Sequence, residues 1–170
     1  MDLFIFTQVF MSVIFFVFAI AKLTKLSSFM DTLRQLRIKP VWARIVVVIV
    51  PLVELVACLL LLLPSTLLYG EVLVFVLLGS YVWAGWRAKG RMVNCNWFGG
   101  LISEKFGFAM YVRIVVLLTM CIFLLVAPEQ LTVDSASILE IITSIFSSLG
   151  IIAIYLLVLT LRQYNALYQD

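Results

Sequence analysis

Val41 to Leu63 reads VWARIVVVIVPLVELVACLLLLL, an apolar run whose only charged residues are Arg44 and Glu54. A helix needs ~20 mostly apolar residues to cross ~30 Å of hydrocarbon, and this run is long enough. So are Leu3 to about Leu23, about Leu67 to Trp86, about Phe108 to Ala127 and about Ile138 to Leu161. Of the chain's 170 residues, 65% are hydrophobic and 12% charged, whereas soluble domains are about half apolar and a quarter charged. The mean hydropathy is +1.20. The sequence predicts an all-α membrane protein of five spans, one integral domain over residues 1–170, with the lipid bilayer as its first partner and no nucleic-acid role. The first stretch begins Met-Asp, with no basic lead and no small-x-small site before Lys22. It reads as a span, not a cleaved signal.

The cations orient the spans. Lys22, Lys25, Arg34, Arg37, Lys39 and Arg44 surround the first connection, Arg87, Lys89, Arg91, Lys105 and Arg113 the third, and Arg162 opens the C-terminal tail. The second connection (Pro64 to Thr66) and the fourth (Pro128 to Ser137) carry none. The positive-inside rule then places the N-terminus outside and the C-terminus in the cytoplasm of a multi-pass cell-membrane protein.

Between the first two spans, Leu26, Phe29, Met30, Leu33 and Leu36 recur at helical spacing, with Ser27, Ser28, Asp31, Thr32, Arg34, Gln35 and Arg37 on the other face. This predicts a short cytoplasmic interfacial helix over about 27–37, with Ser28 and Asp31 as a capping box and Pro40 ending the segment.

Chemistry has few residues to use. The chain has no histidine, which excludes Ser-His-Asp triads, His-ligated haem and the usual zinc sites. Three scattered cysteines do not make a metal site, and no cofactor motif is visible. An ionisable residue inside a membrane marks a functional candidate. Lys22, near the inner surface, can snorkel to water, and Arg44 and Arg113 read as interfacial anchors. Glu54 lies ~20 Å from the inner end of its span, one turn after Pro51, whose missing N–H frees the carbonyl of Val47. On that scale Lys22 sits more than ~15 Å from Glu54 along the membrane normal, too far to pair. Gln8, Thr119, Cys121 and Thr143 fall near its depth and suggest a polar layer in the outer half of the bundle. Without a cation, a carboxyl there stays largely protonated. Its roles are a hydrogen bond between helices, proton handling or quinone contact.

The third connection holds Arg87-Ala-Lys-Gly-Arg-Met-Val-Asn-Cys-Asn-Trp-Phe-Gly-Gly. Asn and Gly favour turns around Cys95, and Trp97 and Phe98 suit the headgroup region. Arg87, Lys89, Arg91 and Arg113 supply positive charge that favours a thiolate. Cys95 is therefore the candidate nucleophile. Cys58 and Cys121 lie ~20 Å or more away, beyond the ~7 Å that a disulfide allows between Cα atoms. Exchange by Cys95 thus requires a partner or a small thiol. Cys58 and Cys121 differ in depth by about a turn, so a bond between them stays open beside a packing role.

Three motifs carry a resemblance: Phe18-Ala19-Ile20-Ala21-Lys22-Leu23, Pro51-Leu52-Val53-Glu54-Leu55 and Cys95-Asn96-Trp97-Phe98-Gly99. With the five-span layout, over roughly residues 10–125, the chain resembles the MauE branch of the DoxX-like membrane proteins, associated with methylamine utilisation. The resemblance implies a four-helix bundle plus a fifth helix. It also implies help to thioredoxin-like partners that form or rearrange disulfides in exported proteins. The family pattern is Cys-x-Cys-Phe-Gly, and here Trp97 replaces the second cysteine.

Two functions follow. One is a redox-accessory protein with Cys95 as exchanging thiol and Glu54 as buried acid. The other is a non-enzymatic membrane module: a partner-binding subunit, maturation chaperone or immunity protein. A quinone-linked oxidoreductase of the vitamin K epoxide reductase type needs a Cys-x-x-Cys pair that the chain lacks.

Overall fold

The computed structural model describes residues 3–88, 94–95, 104–105, 108–126 and 137–167. Among them run six helices: α1 (Leu3–Thr24), α2 (Leu26–Gln35), α3 (Pro40–Leu62), α4 (Leu67–Ala88), α5 (Phe108–Val126) and α6 (Ile138–Leu167). A 3-10 turn, Pro64–Thr66, joins α3 to α4. In the third connection β1 (Asn94–Cys95) pairs antiparallel with β2 (Glu104–Lys105). Four helices, α1, α3, α4 and α6, are long and apolar enough to cross a membrane. The apolar stretch described in α5, Met110–Val126, is shorter. Cys121 Sγ nevertheless lies 3.8 Å from the Glu71 carbonyl, and Met110 and Tyr111 face Gly85. The helix α5 therefore runs antiparallel to α4 over most of its height.

Local chemistry sets the element ends. Pro40 occupies the first turn of α3, where its missing N–H costs nothing and its fixed φ suits helix entry. The helix continues through Pro51. At the end of α2, Arg37 N–H donates to Arg34 O (2.8 Å) and Ile38 N–H to Leu33 O (3.2 Å). Arg37 is left-handed, with φ 55°. This is a Schellman stop, and Ile38 packs beside Leu33 as the motif favours. The capping box expected at Ser28 and Asp31 does not form. Only Lys25 separates α2 from α1, so Ser28 falls within the first turn and the start carries no side-chain cap. A capping box forms instead at α6, where Ser137 Oγ accepts from Glu140 N–H (3.3 Å) and Glu140 Oε2 from Ser137 N–H (3.4 Å).

Helix α1 is central. Of its most apolar window 61% is buried, against 17% for α6. It packs on α3, α5 and α6, while α3 holds α4, α4 holds α5, and α2 lies against α3. Phe4, Met11, Phe15 and Phe18 of α1 meet Ala57 and Leu61, Val74 and Leu78, and Ile114 and Leu117 in one core. Outward-facing apolar residues such as Leu52, Val76, Val115 and Ile154 meet lipid, as expected of helices that are apolar all round. Two bonds fix the pairing of α1 with α3: Gln8 Nε2 donates to Leu61 O (2.6 Å) and Ser12 Oγ to Cys58 O (2.9 Å). Rising residue numbers on one helix meet falling numbers on the other, so they are antiparallel. Gly70 lets α4 press on α3, since a Cβ there would lie 2.9 Å from Leu61 N and 3.0 Å from the Leu60 carbonyl carbon.

Candidate functional site

Lys22, near the end of α1, does not snorkel to the surface. It is 2% exposed and forms a salt bridge with Glu54 Oε1, Glu54 itself being fully buried. The pairing rejected on height is real, and the antiparallel register explains it. Continued from Gln8–Leu61 and Ser12–Cys58, that register sets the Lys22 backbone level with Val47 and Val48, about 10 Å below Glu54. The lysine's four-carbon stem and the glutamate side chain close that gap by reaching towards each other inside the bundle. Span ends defined by the sequence do not record how far one helix slides along the next.

Tyr81 of α4 completes the group. Its hydroxyl donates to Glu54 Oε1, and Lys22 Nζ donates to Tyr81 Oη at 3.1 Å. The ammonium also lies 5.0 Å from the Tyr81 ring centre, 5.6 Å from Phe18 and 5.9 Å from Phe29, within cation–π range. A buried charge is tolerable only when paired and hydrogen-bonded, and here one carboxylate oxygen receives both donors. Glu54 Oε2 has no hydrogen-bond partner among the described residues.

The polar layer expected around Glu54 does not assemble. Gln8 reaches Leu61, well beyond Glu54 along α3, and Cys121 lies by Glu71. Thr119 and Thr143 are exposed and donate to carbonyls of their own helices. Gln8 and Cys121 thus sit about two turns from Glu54 along the bundle, and Thr119 and Thr143 lie on exposed helix faces.

Beside Lys22 and Tyr81 opens a cavity of about 370 Å³, walled by Phe29 and Leu33 of α2, Leu36 just past its end, Val46 and Val50 of α3, and Ala84 of α4. Ser80 and Trp83, its exposed lining residues, mark a mouth on the outer surface of the bundle.

The family model described as methylamine utilisation protein MauE matches residues 1–127. The chain belongs to the MauE family. The match takes in α1 to α5, and with them Lys22, Glu54, Tyr81 and Cys95, while α6 lies beyond it. No curated protein matches the chain, and no solved structure matches it.

Within this MauE-family chain the remaining candidates separate. Cys58 and Cys121 are buried free thiols in the core, and Cys58 Sγ is 3.0 Å from Ser12 Oγ. The backbone of Cys95 lies on β1 opposite Glu104. Lys89, Arg91, Trp97, Phe98 and Gly99 lie outside the described residues. Arg87 stacks on Trp83 (5.3 Å), and its Nε donates to Leu36 O (3.0 Å), closing the end of α2. Arg113 lies over Tyr155 of α6 (5.2 Å), its Nε donating to that hydroxyl. Arg44 is exposed, as suits an interfacial anchor. No cluster of three or more His, Cys, Asp or Glu that could hold a metal occurs among the described residues.

Sequence reasoning found Glu54 but missed Tyr81 and misplaced Lys22. A signal was available: a tyrosine inside an apolar span needs a partner for its hydroxyl, and Glu54 is among the few groups that can supply one.

Proposed function

We propose that this chain is an integral membrane accessory protein supporting thiol–disulfide redox or maturation of a partner protein, with Cys95 as the exchanging thiol. The observation that supports this reading is the partition of its three cysteines. Cys58 and Cys121 are buried within α3 and α5, whereas Cys95 lies on a strand outside the helices. On this reading the five spans form a DoxX-like four-helix bundle plus α6. Its N-terminus faces outside, and Arg87, Lys89 and Arg91 favour the Cys95 thiolate.

The chemistry is exchange. The Cys95 thiolate attacks one sulfur of a disulfide in a thioredoxin-like partner, forming a mixed disulfide, and the partner's other sulfur leaves as a thiolate and takes up a proton. A second thiolate, from the partner or a small thiol, then attacks the mixed disulfide and releases Cys95 reduced. With Trp97 in place of a second cysteine, the resolving sulfur comes from outside the motif. Replacing Cys95 by Ser tests this. Cellular function falls, and adducts trapped by acid quench and alkylation disappear. Full function in Cys95→Ser with no adduct ever trapped from the native chain rejects it in favour of a non-enzymatic partner-binding or chaperone module.

A further inference from the structure

We propose that the cavity between α2, α3 and α4 holds one acyl chain of an anionic phospholipid whose headgroup lies on Arg37, Lys39 and Arg87. An apolar wall and a cationic rim carry this inference together, and Cys95 plays no part in it. Lys22, Tyr81 and Glu54 satisfy one another, and the accessible wall of the cavity is almost wholly apolar. Such a wall suits a hydrocarbon chain and leaves a polar group without a partner. At about 370 Å³ the space falls within the range of small-molecule sites. Ser80 and Trp83, its exposed lining residues, open it sideways to lipid. A chain therefore enters from the bilayer while its headgroup stays at the surface.

The rim selects the headgroup. The contact of Gly70 with Leu60 and Leu61 sets the register of α4 on α3, with Tyr81 near the level of Val50 and Ala84 near Val46. Arg87 follows Ala84 by about one turn, at the end of the cavity away from Tyr81. It is exposed, stacks on the lining residue Trp83 (5.3 Å) and donates from Nε to the carbonyl of Leu36, another lining residue (3.0 Å). At the same end Ile38 lines the cavity, flanked by the exposed Arg37 and Lys39. Among the described residues the ion pairs are Lys22–Glu54 and Arg34–Asp31, so none of the rim cations meets a carboxylate there. Lysine and arginine at a membrane surface draw anionic lipid, and guanidinium forks match the several oxygens of a phosphate. A choline headgroup brings a cation of its own to the same place and gains less.

The test uses the full chain in phosphatidylcholine nanodiscs. The probe is phosphatidylglycerol with a diazirine near the end of one acyl chain, set against phosphatidylcholine labelled in the same way. After illumination, peptide mass spectrometry maps the adducts. The glycerol probe labels cavity-lining positions of α3 and α4 saturably, and about 5-fold or more above the choline probe. Unlabelled phosphatidylglycerol displaces it, and oleate at equal concentration does not. Ala84→Phe fills the cavity and abolishes this labelling. Should that variant fail to fold, Val46→Phe fills the same space from α3. Arg37→Asn removes one charge at a φ of 55° that asparagine also adopts. It raises the half-saturating probe concentration about 5-fold, as does Lys39→Gln. Three results overturn the proposal: equal labelling by the two probes, unchanged labelling in the filled variant, or displacement by oleate as effective as by phosphatidylglycerol. Cys95→Ser labels as the native chain does, so this proposal and thiol exchange fail separately.

Discussion

At the scale of single residues, the protein turns on one ion pair in a membrane interior. Lys22 and Glu54 are each costly alone, because neither water nor lipid replaces the missing partner. The prediction is therefore asymmetric. Lys22→Met leaves a buried, uncompensated carboxylate and lowers stability by about 3–5 kcal/mol, while Lys22→Met combined with Glu54→Leu recovers most of that loss. A double-mutant cycle from chemical unfolding in detergent reads the coupling directly. Additive effects would mean that the two side chains do not depend on each other. The failed polar layer makes the same point from the other side. Thr119 and Thr143 bond to their own helix backbones and take no part in the environment of Glu54.

At the scale of elements, the bundle depends on how closely α4 approaches α3. Gly70 abuts the backbone at Leu60 and Leu61, while at Gly79 an added Cβ meets nothing within 4 Å. The two glycines should respond oppositely to alanine. Gly70→Ala forces rigid backbone apart and costs about 1–3 kcal/mol. Gly79→Ala removes the helix penalty of glycine and gains up to about 1 kcal/mol. Thermal unfolding of both variants against the native chain decides the matter, and equal shifts would refute the close α3–α4 contact. The contact has consequences beyond stability, because the register it sets brings Tyr81 to Lys22. The helix α2 is held from two sides, by its Schellman stop against α3 and by Arg87 of α4 bonding to Leu36 O. It can therefore wall the cavity.

At the scale of the whole molecule, the cations order the spans. Among the described cations Lys22 is buried in the interior, and the distribution of the basic residues along the sequence predicts, by the positive-inside rule, a cytoplasmic third connection. An impermeant maleimide should therefore label Cys95 only after cells are permeabilised. Rapid labelling in intact cells would reverse the topology, and the partner of Cys95 would then be sought outside the cytoplasm.

Much of the molecule was legible beforehand. Hydrophobic run lengths placed the helices, because crossing hydrocarbon fixes a minimum apolar length whatever the neighbours are. The amphipathic repeat from Leu26 to Leu36 announced α2 for a similarly local reason, the period of a helix with one apolar face. Family membership was legible in short motifs around Lys22, Glu54 and Cys95. The sequence thus determined the helices, their order and the scarcity of polar chemistry, all properties of one segment at a time. The tertiary structure alone decided which polar groups meet. Contact between Lys22, Glu54 and Tyr81 depends on helix register and on rotation about the helix axes. Those are set by packing between segments, such as Gly70 on Leu61 and Gln8 on the Leu61 carbonyl, and no single helix encodes them.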